Sequence, residues 1–209
     1  MNTLAKTMIA SQGHPGPQTG NGALAAPRKT LVAALQLFDA PAAPGLALDL
    51  GCGVGADTLE LLNRSWNVVA VDSDPEALAT LLTQMPAHHM SRLTTRLLAF
   101  EELSAARMAT FDLVNASFSL PYCPPADFNG FWANVGQLIR RNGRFCGHFF
   151  GLSHTARAEF NTTLHSLVDI YALLAGFEVE MLNGVEKDQP QPDGSMKHSH
   201  IISVVARKY

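Results

Sequence analysis

A short apolar strand that runs into three alternating glycines constrains this chain more than any other feature. Residues 46–50 are apolar apart from Asp49, and Gly51, Gly53 and Gly55 follow before a helical pattern begins. Glycine adopts positive φ angles at little steric cost and lets a ligand lie directly against the main chain. A strand, a glycine-rich turn and a helix in this order are typical of a ligand-binding corner in a parallel α/β sheet. We therefore predict an α/β fold with a site at this turn.

The spacing of the glycines distinguishes between kinds of nucleotide. A dinucleotide fingerprint has the form Gly-x-Gly-x-x-Gly, and a phosphate-binding P-loop ends in Gly-Lys-Ser or Gly-Lys-Thr. This turn has neither pattern. A second apolar strand, residues 67–72, ends in Asp72, whose carboxylate can accept hydrogen bonds from both hydroxyls of a ribose. Together these features favour a nucleoside that lacks a phosphate chain.

Four motifs in order make the chain resemble the class I S-adenosylmethionine-dependent methyltransferases. Residues 47–55 are similar to the family's first motif, 69–75 to its second, 111–121 to its fourth and 138–145 to the segment leading into its fifth strand. The resemblance covers residues 28–209. It implies a doubly wound, mostly parallel seven-stranded α/β sheet, the Rossmann-like methyltransferase fold, with an antiparallel last strand between strands five and six.

The resemblance also implies a cofactor and a set of binding residues. S-adenosylmethionine would donate its methyl group and leave as S-adenosylhomocysteine. Its amino-acid end would lie on the glycine turn, where Cys52 contributes its backbone amide and Asp49 helps to hold the turn and the cofactor's ammonium group. Its ribose would bind Asp72, with Ser73 as a weaker candidate. The full set is Asp49, Gly51, Cys52, Gly53, Gly55, Asp72, Ser73, Phe100, Glu101 and Asn115.

Three of these candidates follow the third and fourth strands. Ala99 occupies the position where the family usually has an acid, so Phe100 is expected to stack near the base and Glu101 to supply the missing acceptor; Phe100 is equally compatible with the core. Asn115 would lie beneath the sulfonium methyl group. Its motif, Asn-Ala-Ser-Phe, differs from the Asn/Asp-Pro-Pro-Tyr of adenine and glutamine methyltransferases, so their amine-binding chemistry does not carry over. Tyr122 is predicted to form a wall of the acceptor pocket.

Histidines near the expected sheet edge are candidates for acid–base chemistry. His148 lies near the end of the fifth strand, and His198 and His200 flank the start of the last one. We expect the three imidazoles to converge, with His148 or His200 as a general base, because neutral imidazole can take a proton near pH 7. A metal site is the less favoured alternative, since no fourth ligand has matched spacing.

Composition limits the class of protein and its partners. The 209 residues are 47% hydrophobic and 16% charged, which fits one globular domain, and a net charge of −3 gives no reason to expect a nucleic-acid partner. Three cysteines without a Cys-x-x-Cys pattern argue against disulfides and favour the cytoplasm. No apolar stretch reaches the ~20 residues that span a bilayer, so we expect no membrane partner. Oligomeric state stays open.

The domain organisation is predicted to be simple. Residues 1–26 contain many turn-forming residues and are expected to be a flexible tail or a lid, and residues 27–209 form the methyltransferase domain. Helical spacing predicts a helix that starts near Asp127 and stops at residues 142–143, and another over residues 156–174. The last two strands are expected at residues 177–182 and 200–206.

The function that these observations favour is methyl transfer to a small-molecule acceptor by in-line displacement. Two alternatives stay open. A cofactor-binding regulatory module without catalysis is compatible with Ala99 in place of the usual acid. A nucleotide-dependent oxidoreductase is compatible with a similar sheet, although the dinucleotide fingerprint is missing.

Overall fold

A computed structural model of the chain describes residues 24–38, 45–155, 161–192 and 194–209. Most of the predicted tail or lid, residues 1–26, lies outside these ranges. The helices are α1 Lys29–Gln36, α2 Ala56–Asn63, α3 Pro75–Gln84, α4 Pro125–Leu138 and α5 Leu167–Leu173. The strands are β1 Leu46–Leu50, β2 Asn67–Asp72, β3 Leu93–Leu97, β4 Phe111–Ala116, β5 Ile139–Gly151, β6 Leu164–His165, β7 Phe177–Pro190 and β8 Met196–Lys208.

The strands form one mixed sheet in the order β3-β2-β1-β4-β5-β8-β7, with β6 paired to β5. Strands β1 to β5 pair in parallel, whereas β8 runs antiparallel to both β5 and β7. This confirms the predicted doubly wound, mostly parallel sheet with an antiparallel last strand. The two-residue strand β6, which pairs with Phe150 and Gly151, was not predicted. The carboxyl ends of the parallel strands and the start of β8 therefore share one edge.

The helix after β4 shows where the local signals were wrong. It begins at Pro125 and ends at Leu138, before the predicted stop at residues 142–143, which lie within β5. Ile139 leaves the helix because it pairs with Phe111 of β4. The Lys208 side chain donates hydrogen bonds to the carbonyl oxygens of Gly136 and Ile139, at 2.6 and 2.8 Å. Carbonyl groups at the helix end are thus satisfied by a distant residue rather than by a local glycine.

The predicted helix over residues 156–174 is also shorter than expected. Residues 156–160 lie outside the described ranges, Leu164 is in β6, and α5 begins only after Ser166. Ser166 and Asp169 form a capping box in which each side chain accepts a hydrogen bond from the other's backbone N–H group. Strand β5 extends beyond the end of β4, and residues 164–165 pair with this free edge as strand β6.

The last two strands form a hairpin that is longer than the predicted strands. The pairing runs from Phe177 opposite Lys208 to Pro190 opposite Met196. Its outer part is polar and largely exposed, so it lacks the apolar alternation by which strands are recognised in a sequence. Backbone pairing extends the hairpin beyond the apolar part.

Two hydrophobic layers cover the sheet. On one face, side chains such as Leu48 and Phe149 pack with the aromatic residues of α4. On the other face, Ala47, Leu113 and Cys146 pack with α1, α2 and α3. Because strand side chains alternate, Asp49, Asn115 and His148 fall on this second face, beneath α1 and α2. No helix within the described ranges has the length and apolar character needed to cross a membrane.

Candidate active site

All three glycines of the turn between β1 and α2 adopt positive φ angles. The values are 68° at Gly51, 53° at Gly53 and 93° at Gly55. A β-carbon at Gly51 would lie 2.4 Å from the Ser119 side chain, and one at Gly55 would lie 2.7 Å from Leu81. A β-carbon at Gly53 would meet no atom within 4 Å. The outer two glycines are thus required by packing, whereas Gly53 faces open space at the sheet edge.

Hydrogen bonds hold the turn against the end of β2. The amides of Gly51 and Cys52 both donate to the carbonyl oxygen of Val71, at 2.8 and 3.0 Å. The Gly53 amide donates to Oδ2 of Asp72 at 2.7 Å, and the Asp74 amide donates to Oδ1 of the same residue at 3.0 Å. Asp72 therefore lies beside the glycine turn, as its position in the sequence predicted. Each carboxylate oxygen retains capacity for another hydrogen bond.

Ser73 and Cys52, two candidate cofactor-binding residues near Asp72, differ in their exposure to solvent. Ser73 is exposed beside Asp72. Cys52 is buried, and burial raises the pKa of its thiol well above the ordinary value, so it stays protonated. The Cys52 amide, which was expected to bind the cofactor, already donates to the Val71 carbonyl.

Asp49 and Asn115 lie in a closed polar network beneath the turn. Oδ1 of Asp49 accepts a hydrogen bond from the Asn115 amide at 2.8 Å, and Oδ2 accepts one from the Thr58 hydroxyl at 2.6 Å. Asn115 also donates to Asp57 at 3.1 Å. Their exposed fractions are 1% for Asp49 and 0% for Asn115, so both side chains are covered by the surrounding structure. Contacts of these two residues with the cofactor stay a prediction.

Burial has an electrostatic consequence in the same network. Desolvation, followed by the charge of Asp57, raises the pKa of Asp49 from 3.8 to about 7. The hydrogen bonds from Thr58 and Asn115 act in the opposite direction. Asp49 is consequently a buried carboxyl group that titrates near neutral pH.

Phe100 and Glu101 line a surface cavity of about 280 Å³ between the segment after β3 and α4. The other lining residues are Leu103, Ala126, Asp127, Gly130, Phe131 and Asn134. The Phe100 ring lies 4.8 Å from that of Phe131, and it is close to the position that a β-carbon on Gly51 would take. The neighbouring acid, Glu102, accepts a hydrogen bond from the Ala99 amide and does not line the cavity, so Glu101 and Asp127 are the two acids there.

His148 is buried at the end of β5, where three elements meet. Its Nε2 atom lies 2.9 Å from the Thr30 hydroxyl of α1, and its ring stacks on Phe118 with centroids 4.0 Å apart. The Arg28 guanidinium lies over the same Phe118 ring, 4.8 Å from its centroid. Burial, assisted by the Arg28 charge, lowers the pKa of His148 to about 4. Its Nδ1 atom is buried without a hydrogen-bond partner.

His198 and His200 do not converge on His148, so the expectation of three clustered imidazoles is wrong. In the antiparallel pairing, Ser203 lies opposite His148 and therefore shares its face. His200, three residues from Ser203, points to the other face. The reason is register: an odd separation along a strand places two side chains on opposite faces.

His198 and His200 instead join a cluster with two acids of β7. The His200 Nδ1 atom lies 2.7 Å from the Ser153 hydroxyl and 3.2 Å from Glu186. His198 contacts Asp188 at 2.7 Å and Glu186 at 3.1 Å. No group of three or more histidine, cysteine or acidic residues in the described ranges is arranged to hold a metal ion.

Tyr122 lies in a short 3₁₀ helix after β4, near the end of β5. Its ring meets that of Phe150 edge to face, with centroids 6.2 Å apart, and the side chain is 36% exposed. It is thus placed at the same sheet edge as the glycine turn. The sequence reasoning missed Arg28, Phe118 and the pair Glu186 and Asp188. The position of Phe118 two residues after the end of β4 was the only local signal for any of them.

The sheet has a glycine turn after β1, an acid at the tip of β2 and an antiparallel strand, β8, between β5 and β7, and this combination is the Rossmann-like methyltransferase fold. Residues 47–143 match the family described as methyltransferase domain. The resemblance predicted from the motifs is thereby confirmed: the matched residues, slightly less than half of the chain, contain both the glycine turn and Asp72.

Individual proteins are similar to parts or most of the chain. A probable cobalt-precorrin-6B C(15)-methyltransferase (decarboxylating) from Methanothermobacter thermautotrophicus is 42% identical over 48 residues, which are 23% of this chain and 25% of that protein. The chain thus spans about a quarter of the length of this curated relative.

Solved structures share the fold at low sequence identity. TehB from Haemophilus influenzae superimposes with a TM-score of 0.72 at 16% identity, covering 86% of this chain and 61% of that one. The 1,6-didemethyltoxoflavin-N1-methyltransferase of Burkholderia thailandensis, solved with bound 1,6-didemethyltoxoflavin and S-adenosylhomocysteine, has a TM-score of 0.62 at 24% identity, covering 86% and 78%. Magnesium protoporphyrin IX methyltransferase from Synechocystis, solved with S-adenosylmethionine, has a TM-score of 0.59 at 19% identity, covering 86% and 74%.

Proposed function

We propose that this chain transfers a methyl group from S-adenosylmethionine to a small-molecule acceptor by in-line displacement. The observation that carries the proposal is the 2.7 Å hydrogen bond from the Gly53 amide to the Asp72 carboxylate. This bond places Gly53, the glycine with open space beside it, next to Asp72, whose carboxylate can accept hydrogen bonds from both hydroxyls of a ribose. The sulfonium methyl is already activated, so the protein's main task is to align the nucleophile with it in a closed site.

The surroundings of this bond suit a nucleoside. The open space beside Gly53 leaves room for the amino-acid end of the cofactor. The remaining lone pairs of Asp72 are available to the ribose hydroxyls. The cavity at Phe100 and Glu101 offers an aromatic ring and a carboxylate for the base. The solved relatives that contain S-adenosylmethionine or S-adenosylhomocysteine support the same choice of cofactor.

We propose that the acceptor is a small soluble molecule and that the reaction takes place in the cytoplasm. Two of the similar structures are methyltransferases named for small molecules, 1,6-didemethyltoxoflavin and magnesium protoporphyrin IX, which supports a small molecule as acceptor. Cys52, Cys123 and Cys146 are all buried and unpaired, which suits a reducing compartment.

His148 is our proposed general base for an acceptor that carries a proton at attack. Its lowered pKa keeps the ring neutral at pH 7, and its Nδ1 atom has no partner. His200 is a weaker candidate because Ser153 and Glu186 already contact its Nδ1 atom. We expect His148→Ala to reduce turnover and to leave cofactor affinity within about twofold. His200→Ala is the comparison: a loss confined to that variant would move the role to His200, and full turnover in both would remove histidine from the mechanism.

Calorimetric titration tests the cofactor directly. S-adenosylmethionine and S-adenosylhomocysteine are titrated into the protein alongside NAD. We expect the first two to bind and NAD not to bind. Asp72→Ala should weaken binding at least tenfold, since hydrogen bonds to a charged group are each worth about 1.5–3 kcal/mol. Asp188→Ala, which removes an exposed carboxylate from β7, is the control and should bind normally. Binding of NAD alone would favour an oxidoreductase, and cofactor binding without turnover on any acceptor would favour a regulatory module.

A further inference from the structure

Arg28 is unusual among the arginines of the described residues. Four of them are half-buried: Arg28, Arg92, Arg144 and Arg207. Arg92 donates to two backbone carbonyls, and Arg144 and Arg207 each pair with a glutamate. Within the described ranges, the Arg28 guanidinium has neither an ion pair nor a hydrogen-bond acceptor. A half-buried charge normally has a partner, because burial removes part of its hydration.

The Arg28 guanidinium is nevertheless held in place. It lies over the Phe118 ring, 4.8 Å from the centroid, in a cation–π contact, and the Phe118 ring in turn stacks on His148. The backbone of Phe118 is itself constrained, with a φ of 57°. On either side of it, the Ser117 hydroxyl donates to Asn115 and the Ser119 hydroxyl donates to the Leu50 carbonyl. The cation is thus supported by a fixed ring.

The position of this cluster connects it to the proposed cofactor site. The Arg28 backbone amide donates to Asp57 at 2.8 Å, and Asp57 is in the first turn of α2, directly after the glycines. Phe118 follows β4, and His148 lies near the end of β5. Both are therefore at the sheet edge where the glycine turn lies. A second polar group without a partner, the buried Nδ1 atom of His148, belongs to the same cluster.

We propose that Arg28 is an acceptor-binding residue and that the acceptor carries a carboxylate or a comparable organic anion. This proposal rests on the proposed methyl transfer, since it names the class of acceptor for that reaction. The guanidinium presents N–H donors in a planar fork that matches a carboxylate. The guanidinium rests on the Phe118 ring, and the nearby carboxylates of Asp49 and Asp57 accept hydrogen bonds from groups other than this guanidinium.

Paired acids and amides test this proposal. Benzoate, phenylacetate and 4-hydroxybenzoate are titrated into protein saturated with S-adenosylhomocysteine, and their primary amides are titrated in parallel, with binding followed by NMR. We expect at least one acid to bind at least tenfold more tightly than its amide. Arg28→Ala should abolish that difference, and Arg28→Lys should retain part of it. Arg141→Ala, which removes an exposed arginine on β5, is the matched control and should behave as the wild type.

The outcomes separate this proposal from the proposed function. Normal binding of S-adenosylhomocysteine to Arg28→Ala shows that the variant is folded and that the cofactor site is intact. If no acid binds better than its amide, or if the preference survives in Arg28→Ala, the anionic acceptor is wrong while the cofactor assignment stands. If S-adenosylhomocysteine does not bind to the wild type, the proposed function itself fails, and the anionic acceptor fails with it.

Discussion

The Thr30 hydroxyl lies 2.9 Å from Nε2 of His148, so a single hydrogen bond joins the second residue of α1 to the end of β5 across 118 positions of the chain. Both side chains are buried, with exposed fractions of 5% and 4%. The bond fixes the orientation of the imidazole ring and thereby determines that Nδ1 is the atom left without a partner. The start of α1 is therefore part of the candidate active site.

Removing the Thr30 hydroxyl should be costly for this reason. We expect Thr30→Ala to lower the free energy of unfolding by about 1–3 kcal/mol, because it leaves a buried imidazole nitrogen unsatisfied. Urea denaturation at pH 7 measures the change. Thr30→Ser keeps the hydroxyl and should recover most of the loss; equal losses in both variants would show that the methyl group, rather than the bond, matters.

The glycine turn predicts a difference between two similar substitutions. Gly51→Ala should lower the free energy of unfolding by about 2–4 kcal/mol, since the residue has a φ of 68° and its new β-carbon would lie 2.4 Å from Ser119. Gly53→Ala should cost only about 1–2 kcal/mol, because its φ is 53° but the space around it is open. Chemical denaturation of both variants checks this, and equal costs would mean that the overlap with Ser119 is relieved easily.

The buried carboxyl group of Asp49 predicts a pH dependence. Its pKa rises from 3.8 in the unfolded chain to about 7 in the fold, so the native state binds more protons between these values. The free energy of unfolding should therefore fall as the pH rises from about 4 to 7 and should then level off. Asp49→Asn should remove this contribution, because an amide does not titrate in this range. The amide can still accept a hydrogen bond from Asn115 and donate one to Thr58, so the network is kept.

Urea denaturation at pH 4.5 and at pH 7.5 measures the effect in both proteins. The difference between Asp49→Asn and the wild type isolates the contribution of Asp49, since the other titrating groups are common to both. An unchanged difference across the two pH values would contradict the raised pKa.

The contacts of His198 with the acids of β7 predict a change in its pKa that NMR can follow directly. The hydrogen bond to Asp188, aided by Glu186, raises the pKa of His198 above 6.5. Asp188→Asn should lower the pKa of His198, because the amide carries no charge to stabilise the imidazolium. Glu178→Gln, near the other end of the same strand, is the control and should leave it unchanged. A His198 pKa that does not respond to Asp188→Asn would show that the contact does not persist in solution.

The fold was predictable because its signals are local. The glycine turn and the acid at position 72 each depend on neighbouring residues, and both are present in the structure. The burial of Asp49 and Asn115 was not predictable in the same way. It arises because the pairing of β1 with β4 places Asp49 beside Asn115, and both residues lie beneath α2.

The errors in the histidine cluster have a related cause. The opposite faces of His148 and His200 follow from the register between β5 and β8, which no local pattern specifies. The partners Glu186 and Asp188 lie opposite His200 and His198 in the hairpin, again through register. The short strand β6 forms because the edge of β5 is free where β4 has ended, which is a property of the neighbouring strand rather than of residues 164–165.

The place of β8 between β5 and β7 has a consequence for synthesis on the ribosome. Both neighbours precede β8 in the chain, so a nascent chain that has emerged as far as Pro190 holds two long strands that will later pair with the same missing one. Their unpaired edges expose backbone hydrogen-bonding groups, which favour association with other chains. Completion of the sheet must wait until residues 196–208 leave the exit tunnel, and chaperones that shield strand edges would act during this interval.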